Sequence, residues 1–150
     1  MTTSKLVATL TAVLLFAATN LQASKCSNAS LNGTYGYSSQ GLTEVTPDIN
    51  TIGFVPFAQS GIISYDGVGK IVSGTYTYST TAANGGSFKG TFTGSYKVRP
   101  NCTGKVEVDL TDGTIFHFDL VVLGPGLHTY LSTDPGGFLG IYTMRIITEE

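Results

Sequence analysis

Between residues 88 and 98 the chain reads Phe88-Lys89-Gly90-Thr91-Phe92-Thr93-Gly94-Ser95-Tyr96-Lys97-Val98, with an apolar residue or a glycine at every second position. A period of two is typical of a β-strand that has one face in the core and the other in water. Similar runs recur along the chain, and turn-forming Gly, Asn and Asp residues separate them. The sequence therefore predicts a single antiparallel β domain.

Eight strands can be placed in this way. They are predicted at Leu31 to Gln40, Phe54 to Tyr65, Ile71 to Ser79, Phe88 to Val98, on either side of Asp112-Gly113, at Leu127 to Thr133 and at about Phe138 to Ile147. The polar segment from Gly41 to Ile52 is predicted to be a long loop. Pro56 has no backbone N–H, so this end of the second strand is predicted to be an edge, a bulge or unpaired. We expect an all-β fold, an eight-stranded antiparallel up-and-down barrel, with a two-sheet β-sandwich as the alternative.

The turn at Asp112-Gly113 decides which way His117 points. A two-residue turn would place Val108 opposite His117 and mix apolar and charged side chains on one face. A type I turn at Thr111-Asp112, followed by a bulge with Gly113 in the left-handed conformation, separates the two classes. The pairs that this register predicts are Val108 with Phe116 and Val106 with Phe118 on the apolar face, and Glu107 with His117 and Lys105 with Asp119 on the charged face.

The N-terminus is typical of an export signal. Lys5 supplies a positive charge, residues 6–18 are apolar, and Ala23 offers a cleavage site. We expect a signal peptide at 1–23 and one barrel domain at 24–150. The apolar run is too short for a transmembrane helix, which needs about 20 residues. The protein is expected to be secreted or periplasmic, with no stable membrane anchor after cleavage.

Cys26 and Cys102 are the two cysteines of the chain. Because an exported protein meets an oxidising environment, we expect them to form a disulfide. A redox or metal site is the alternative, but the CxxC spacing and a neighbouring His are missing. The 8 Lys and Arg and the 10 Asp and Glu give a net charge of −2, and the positive residues are scattered. We therefore expect no nucleic-acid partner, no metal and no cofactor.

The order of these strand and turn signals resembles that of small exported bacterial proteins with an allene-oxide-cyclase-like barrel, within the calycin-type folds. The segments that carry the resemblance are SLNGTYG at 30–36, ISYDGVG at 63–69, SGTYT at 73–77, GTF at 90–92, NCTG at 101–104 and TDPG at 133–136. They span nearly all of the chain after the signal. The resemblance implies a calycin-like barrel of mostly unassigned function. It supplies no catalytic residue.

Ten aromatic residues form the group that can carry a function. If they line the barrel with glycines as spacers, they enclose a small apolar or aromatic ligand that phenol groups can orient. The alternative is that the rings fill the interior completely, since an eight-stranded barrel is just wide enough for its side chains. The candidates are Tyr35, Tyr37, Tyr76, Tyr78, Phe88, Phe92, Tyr96, Phe116, Phe118 and Tyr142.

The remaining polar residues give weaker indications of a functional site. His117 and Asp119 could form a general base or a metal site, but their place on the wet face favours a structural role. His128 stands alone near a loop and receives no role. The segment Asp66-Gly67-Val68-Gly69 is read as a β-turn and not as a phosphate or calcium loop.

Four functions are compatible with these patterns. A soluble barrel that binds a small apolar or aromatic molecule is the first. A non-enzymatic surface or extracellular interaction module and a cyclase-type enzyme with an apolar pocket are alternatives. An outer-membrane barrel, with its aromatic residues facing lipid, is the fourth.

Overall fold

The computed structural model describes residues 25–48, 51–80, 86–135 and 138–148. A short 3-10 turn, Asn28–Ser30, precedes eight strands: β1 (Asn32–Asp48), β2 (Thr51–Asp66), β3 (Lys70–Thr80), β4 (Gly86–Val98), β5 (Thr103–Leu110), β6 (Ile115–Gly124), β7 (Leu127–Ser132) and β8 (Phe138–Thr148). Each strand pairs with its neighbours along the chain, and β1 also pairs antiparallel with β8, so the sheet closes into a barrel. The predicted up-and-down barrel is confirmed, and the two-sheet sandwich is wrong.

The predicted signal peptide, residues 1–23, lies outside the described residues. Among the residues that are described, no helix is long and apolar enough to cross a lipid bilayer.

The hairpin of β1 and β2 is longer than the sequence predicts. Its register continues past Gly41, which pairs with Phe57, to Asp48, which pairs with Thr51. The predicted loop from 41 to 52 is therefore wrong in its described part, because the backbone hydrogen bonds of a ladder form whatever the polarity of the side chains. Pro56 lies opposite Leu42 of β1, whereas the register with β3 starts one residue later. This end of β2 is therefore paired on its β1 side, and the residue that would face Pro56 beyond Thr80 of β3 lies outside the described residues.

The bulged turn between β5 and β6 is confirmed. Gly113 has a φ of 88°, in the left-handed region, and its N–H donates to the Leu110 carbonyl over 3.0 Å. The pairs are those predicted: Val108 with Phe116, Val106 with Phe118, Glu107 with His117 and Lys105 with Asp119. Lys105 and Asp119 form an exposed ion pair. Local turn chemistry therefore determines which side chains of these strands enter the barrel.

One end of the barrel is closed by the 3-10 turn. The Asn28 side chain accepts a hydrogen bond from the Val98 N–H over 2.8 Å and donates one to the Val68 carbonyl over 2.9 Å. The Tyr96 hydroxyl donates to the carbonyl of Leu31, whose side chain is 1% exposed. We call this the closed end. The opposite end, where the β5–β6 turn lies, is called the open end.

A disulfide ties the N-terminal segment to the closed end. Cys26 and Cys102 are bonded, as predicted, and are separated by 76 positions in the sequence. In the chain-entropy model a loop of this length contributes about 4 to 5 kcal/mol to stability. The disulfide thus holds the 3-10 turn against the turn that joins β4 to β5.

Three aromatic rings lie over glycines of a neighbouring strand. The pairs are Phe92 with Gly74, Tyr76 with Gly90, and Tyr37 with Gly61. A Cβ atom at Gly74 would lie 2.1 Å from the Phe92 ring, and one at Gly90 would lie 2.6 Å from the Tyr76 ring. Each ring therefore occupies the space where its partner's side chain would be, and it lies along the barrel wall.

The Gly74→Ala variant is expected to lose about 1 to 3 kcal/mol of unfolding free energy, because the new methyl group overpacks the Phe92 ring. Gly124→Ala is the matched control, since a Cβ at Gly124 has no atom within 4 Å. We expect it to change stability by less than about 0.5 kcal/mol. Urea unfolding of the two variants measures the difference. Equal stability would show that Phe92 does not depend on the glycine.

Candidate functional site

A cavity of about 310 Å³ lies inside the barrel towards the open end. It reaches the rim, where Phe88 is 57% exposed and Asp112 of the β5–β6 turn is also exposed. Its deeper wall includes Ile63, Tyr130 and Met144, which belong to the core. The barrel interior is therefore packed at the closed end and hollow at the open end.

Eight of the ten predicted aromatic residues line this cavity. They are Tyr37, Tyr76, Tyr78, Phe88, Phe92, Phe116, Phe118 and Tyr142. The other two, Tyr35 and Tyr96, also face inward, but they pack in the core and do not line the cavity. Most of these rings thus converge inside the sheet.

The cavity wall is mainly apolar. Among the described residues that line it, Asp112 is the only one with a charged side chain, and it lies at the rim. Its carboxylate accepts the backbone N–H of Thr114 over 2.9 Å, and this bond holds the pKa of Asp112 below its usual range. An ion bound deeper in the cavity would lose its hydration without gaining a charged partner. The wall therefore suits a neutral molecule.

A short chain of polar groups interrupts the apolar wall. The Gln59 Nε2 group donates to the Tyr37 hydroxyl over 3.1 Å, and the Tyr37 hydroxyl donates to the Thr75 carbonyl over 3.1 Å. The Tyr142 hydroxyl lies 3.4 Å from Gln59 Oε1, to which it donates. Burial raises the pKa of Tyr142 to about 12 and that of Tyr37 further above its usual range. Both phenols are therefore neutral at physiological pH.

Sequence reasoning missed Gln59. Its side chain faces inward because it is separated by an even number of positions from Phe57 and Ile63, which are buried on the same strand. The period of two along β2 was the signal that could have found it. A polar residue on the apolar face of a strand is a candidate for a hydrogen-bonding role in the interior.

A second polar group lies below the cavity, at the closed end. His128 is fully buried, and its Nε2 lies 2.9 Å from the Tyr65 hydroxyl, which also contacts the Tyr130 hydroxyl. His128 Nδ1 has no hydrogen-bond partner among the described residues. His128 lies next to the β6–β7 turn, as predicted, but the prediction that it stands alone is wrong, because its position in β7 turns it inward together with Tyr130, two residues further on.

His117 has a structural role on the outer surface. Its backbone N–H donates to Asp134 Oδ2 over 2.7 Å, and its Nδ1 lies 2.8 Å from Asp134 Oδ1. Glu107 lies on its other side, at 3.5 Å from Nε2. The bond with Asp134 raises the pKa of His117, with a smaller contribution from Glu107. In the described ranges no group of three or more His, Cys, Asp or Glu side chains could hold a metal ion.

The pKa values of the two histidines are expected to be shifted in opposite directions. Asp134 raises the pKa of His117, whereas burial lowers that of His128 to about 3. Imidazole NMR should show His117 titrating above pH 6.5 and His128 still neutral at pH 5. Asp134→Asn should return His117 towards its ordinary pKa and leave His128 unchanged. Titration of His128 near pH 6.5 would contradict its burial.

These shifts have opposite effects on stability. Charged His117 stabilises the fold fully below its unfolded pKa, and this contribution is lost as the pH rises through its raised folded pKa. As the pH falls from about 6.5 towards 3, His128 is protonated in the unfolded chain but stays neutral in the folded one. The free energy of unfolding therefore falls by up to about 1.4 kcal/mol per pH unit. Urea unfolding of the unsubstituted protein and of His128→Gln at pH 4.5 and 6.5 gives the effect of His128 as the difference between their two pH dependences.

The chain matches no model of a known protein family, no curated protein and no solved structure.

Proposed function

We propose that this protein binds a small, neutral, apolar or aromatic molecule inside the barrel. The observation that carries the proposal is the cavity of about 310 Å³ with its aromatic wall. A dry apolar cavity of about 150 Å³ binds benzene, so a cavity of twice that volume suits a molecule of about two rings. Small-molecule sites are typically concave, mostly apolar and provided with a few polar groups, as this cavity is.

The rings that line the cavity support binding over simple filling of the core. An eight-stranded barrel normally has just enough room for its side chains. Here Phe92 and Tyr76 lie over glycines of the neighbouring strand, so they take less volume from the centre. The cavity is therefore built into the pairing of the strands.

Burial of apolar area sets the expected affinity. A two-ring molecule that buries about 300 Å² would gain roughly 7 kcal/mol from leaving water. Lost translational and rotational freedom offsets part of this gain. The dissociation constant should therefore lie in the micromolar to millimolar range.

The disulfide supports an oxidising compartment. The Cys26–Cys102 bond is typical of proteins that fold in an oxidising environment. We infer that residues 1–23 direct export and that the protein works in the periplasm or outside the cell. The calycin-like, allene-oxide-cyclase-like family remains part of this proposal.

Binding of naphthalene tests the proposal. Val108 lines the cavity, so Val108→Phe should fill part of it and weaken binding at least about tenfold. Val121→Phe is the control, because it makes the same change at an exposed position of β6. Ligand-observed NMR measures the affinities. The proposal fails if no neutral one-ring or two-ring molecule binds the unsubstituted protein, or if both variants bind equally.

A cyclase-type enzyme is the second candidate. The observation in its favour is the contact of His128 with Tyr65 and of Tyr65 with Tyr130, whose ring lines the cavity. Such a chain could move a proton to or from a bound molecule. His128 itself does not line the cavity, and binding accounts for the wall without it.

Proton exchange distinguishes the two candidates. For a binding protein, 1-indanone in D₂O should exchange its α-protons at the rate of the buffer alone. An enzyme would accelerate the exchange, and Tyr65→Phe, which removes the linking hydroxyl with little change of volume, would abolish the acceleration. Proton NMR of the ketone measures the rate.

A further inference from the structure

Gln59 is the one side-chain amide on the described cavity wall, where most neighbours are aromatic or aliphatic. It lies on β2 between Ser39 of β1 and Tyr78 of β3 in the strand register. The pairing of β2 with both neighbouring strands therefore fixes the position of Gln59, which is not part of a loop. A rigid strand is the best place for a group that must meet a ligand in one orientation.

The hydrogen bonds around Gln59 fix which way its amide points. The Thr75 carbonyl can only accept, so the Tyr37 hydroxyl uses its single proton on that carbonyl. The Tyr37 oxygen can then only accept, and the group that donates to it must be the Nε2 of Gln59. A flipped amide would place two acceptors together. The Gln59 oxygen therefore faces Tyr142, which donates to it.

Part of the hydrogen-bonding capacity of Gln59 is left for a ligand. An amide side chain has two N–H donors and an oxygen with two lone pairs. Within the part of the chain that the structure describes, Tyr37 uses one donor, and Tyr142 uses one lone pair at a long distance of 3.4 Å. When a ligand displaces water from the cavity, the remaining donor and lone pair lose their partners unless the ligand replaces them. An unmade hydrogen bond of this kind costs about 1 to 3 kcal/mol.

Ser39 adds a second polar group at the same level. Ser39 pairs with Gln59 in the strand register and is 7% exposed, and its side chain interacts with the Tyr142 phenol. Its neighbour across the sheet on the other side is Tyr142. The Gln59 amide and the hydroxyl groups of Tyr37 and Tyr142 thus lie together on β2, β1 and β8, whereas Val108 of β5 and Phe116 of β6 present apolar side chains to the cavity. This asymmetry favours a ligand that has one polar edge.

We propose that the ligand is a neutral ring molecule with one hydroxyl or amide group, which Gln59 binds with both its N–H and its oxygen. This proposal rests on the binding function argued above and names the class of ligand. A hydroxyl and a cyclic amide share the required chemistry, since each donates and accepts one hydrogen bond. A carboxylate or an ammonium group lacks a charged partner in the deeper wall.

A set of two-ring probes tests the proposal. Naphthalene has no polar group, 2-naphthol adds a hydroxyl, and 2-quinolone adds a cyclic amide. We expect Gln59→Met, which keeps the length of the side chain, to lower the affinity ratio of each polar probe to naphthalene about tenfold. Naphthalene itself should bind Gln59→Met at least as tightly as the unsubstituted protein. Gln40→Met, an exposed glutamine of β1, should leave all ratios unchanged.

Each outcome decides one question. If naphthalene binds but Gln59→Met leaves both ratios unchanged, the role of Gln59 is wrong and the binding function stands. If a change of ratio is confined to one polar probe, that probe identifies the hydroxyl or the amide as the recognised group. If none of the probes binds, the proposed function itself fails. Should Gln59→Met not fold, Tyr37→Phe replaces it, because it removes the oxygen that orients the amide and must also lower the ratios.

Discussion

The space inside this barrel depends on the absence of three side chains. Inward-facing residues of eight strands normally meet near the barrel axis and fill it. Because Gly61, Gly74 and Gly90 have no Cβ atom, the rings opposite them extend across the neighbouring strand instead. One face of each ring then covers backbone, as in aromatic–glycine pairs of other sheets, and the rest of the ring borders the cavity. The aromatic wall of the cavity therefore depends on these glycines.

The sequence predicts this fold well where the signal is local. Gly113 and the alternation around it are enough to set the register of β5 with β6, because a misplaced register would bury charge. Polar residues after Gly41 were misleading, since strand pairing there is decided by the partner strand. The burial of His128 could not be predicted either, because its hydrogen-bond partner Tyr65 lies 63 positions earlier in the chain. The same limit applies to Tyr35: periodicity placed it inside the barrel but could not say that its end is closed.

The two ends of the barrel use tyrosine in different ways. At the closed end the phenol groups form hydrogen bonds within the protein, as when Tyr96 donates to the Leu31 carbonyl next to the 3-10 turn. Towards the open end Tyr37 and Tyr142 instead hold the amide of Gln59, which faces a cavity. Burial keeps these phenols neutral, so they act as fixed dipoles. Stability and recognition thus rely on the same residue type at different depths of one barrel.

The seam between β1 and β8 is the only strand pair of the described barrel that is not formed by neighbours along the chain. Its formation closes the longest loop, so its entropic cost is the highest and it should form last during folding. Until then, β1 and β8 each expose an edge with unpaired backbone groups, which can pair with another copy of the chain. The Cys26–Cys102 bond does not bridge this seam, because Cys102 lies in the turn between β4 and β5. The danger of aggregation or domain swapping is therefore concentrated in a single late step of folding.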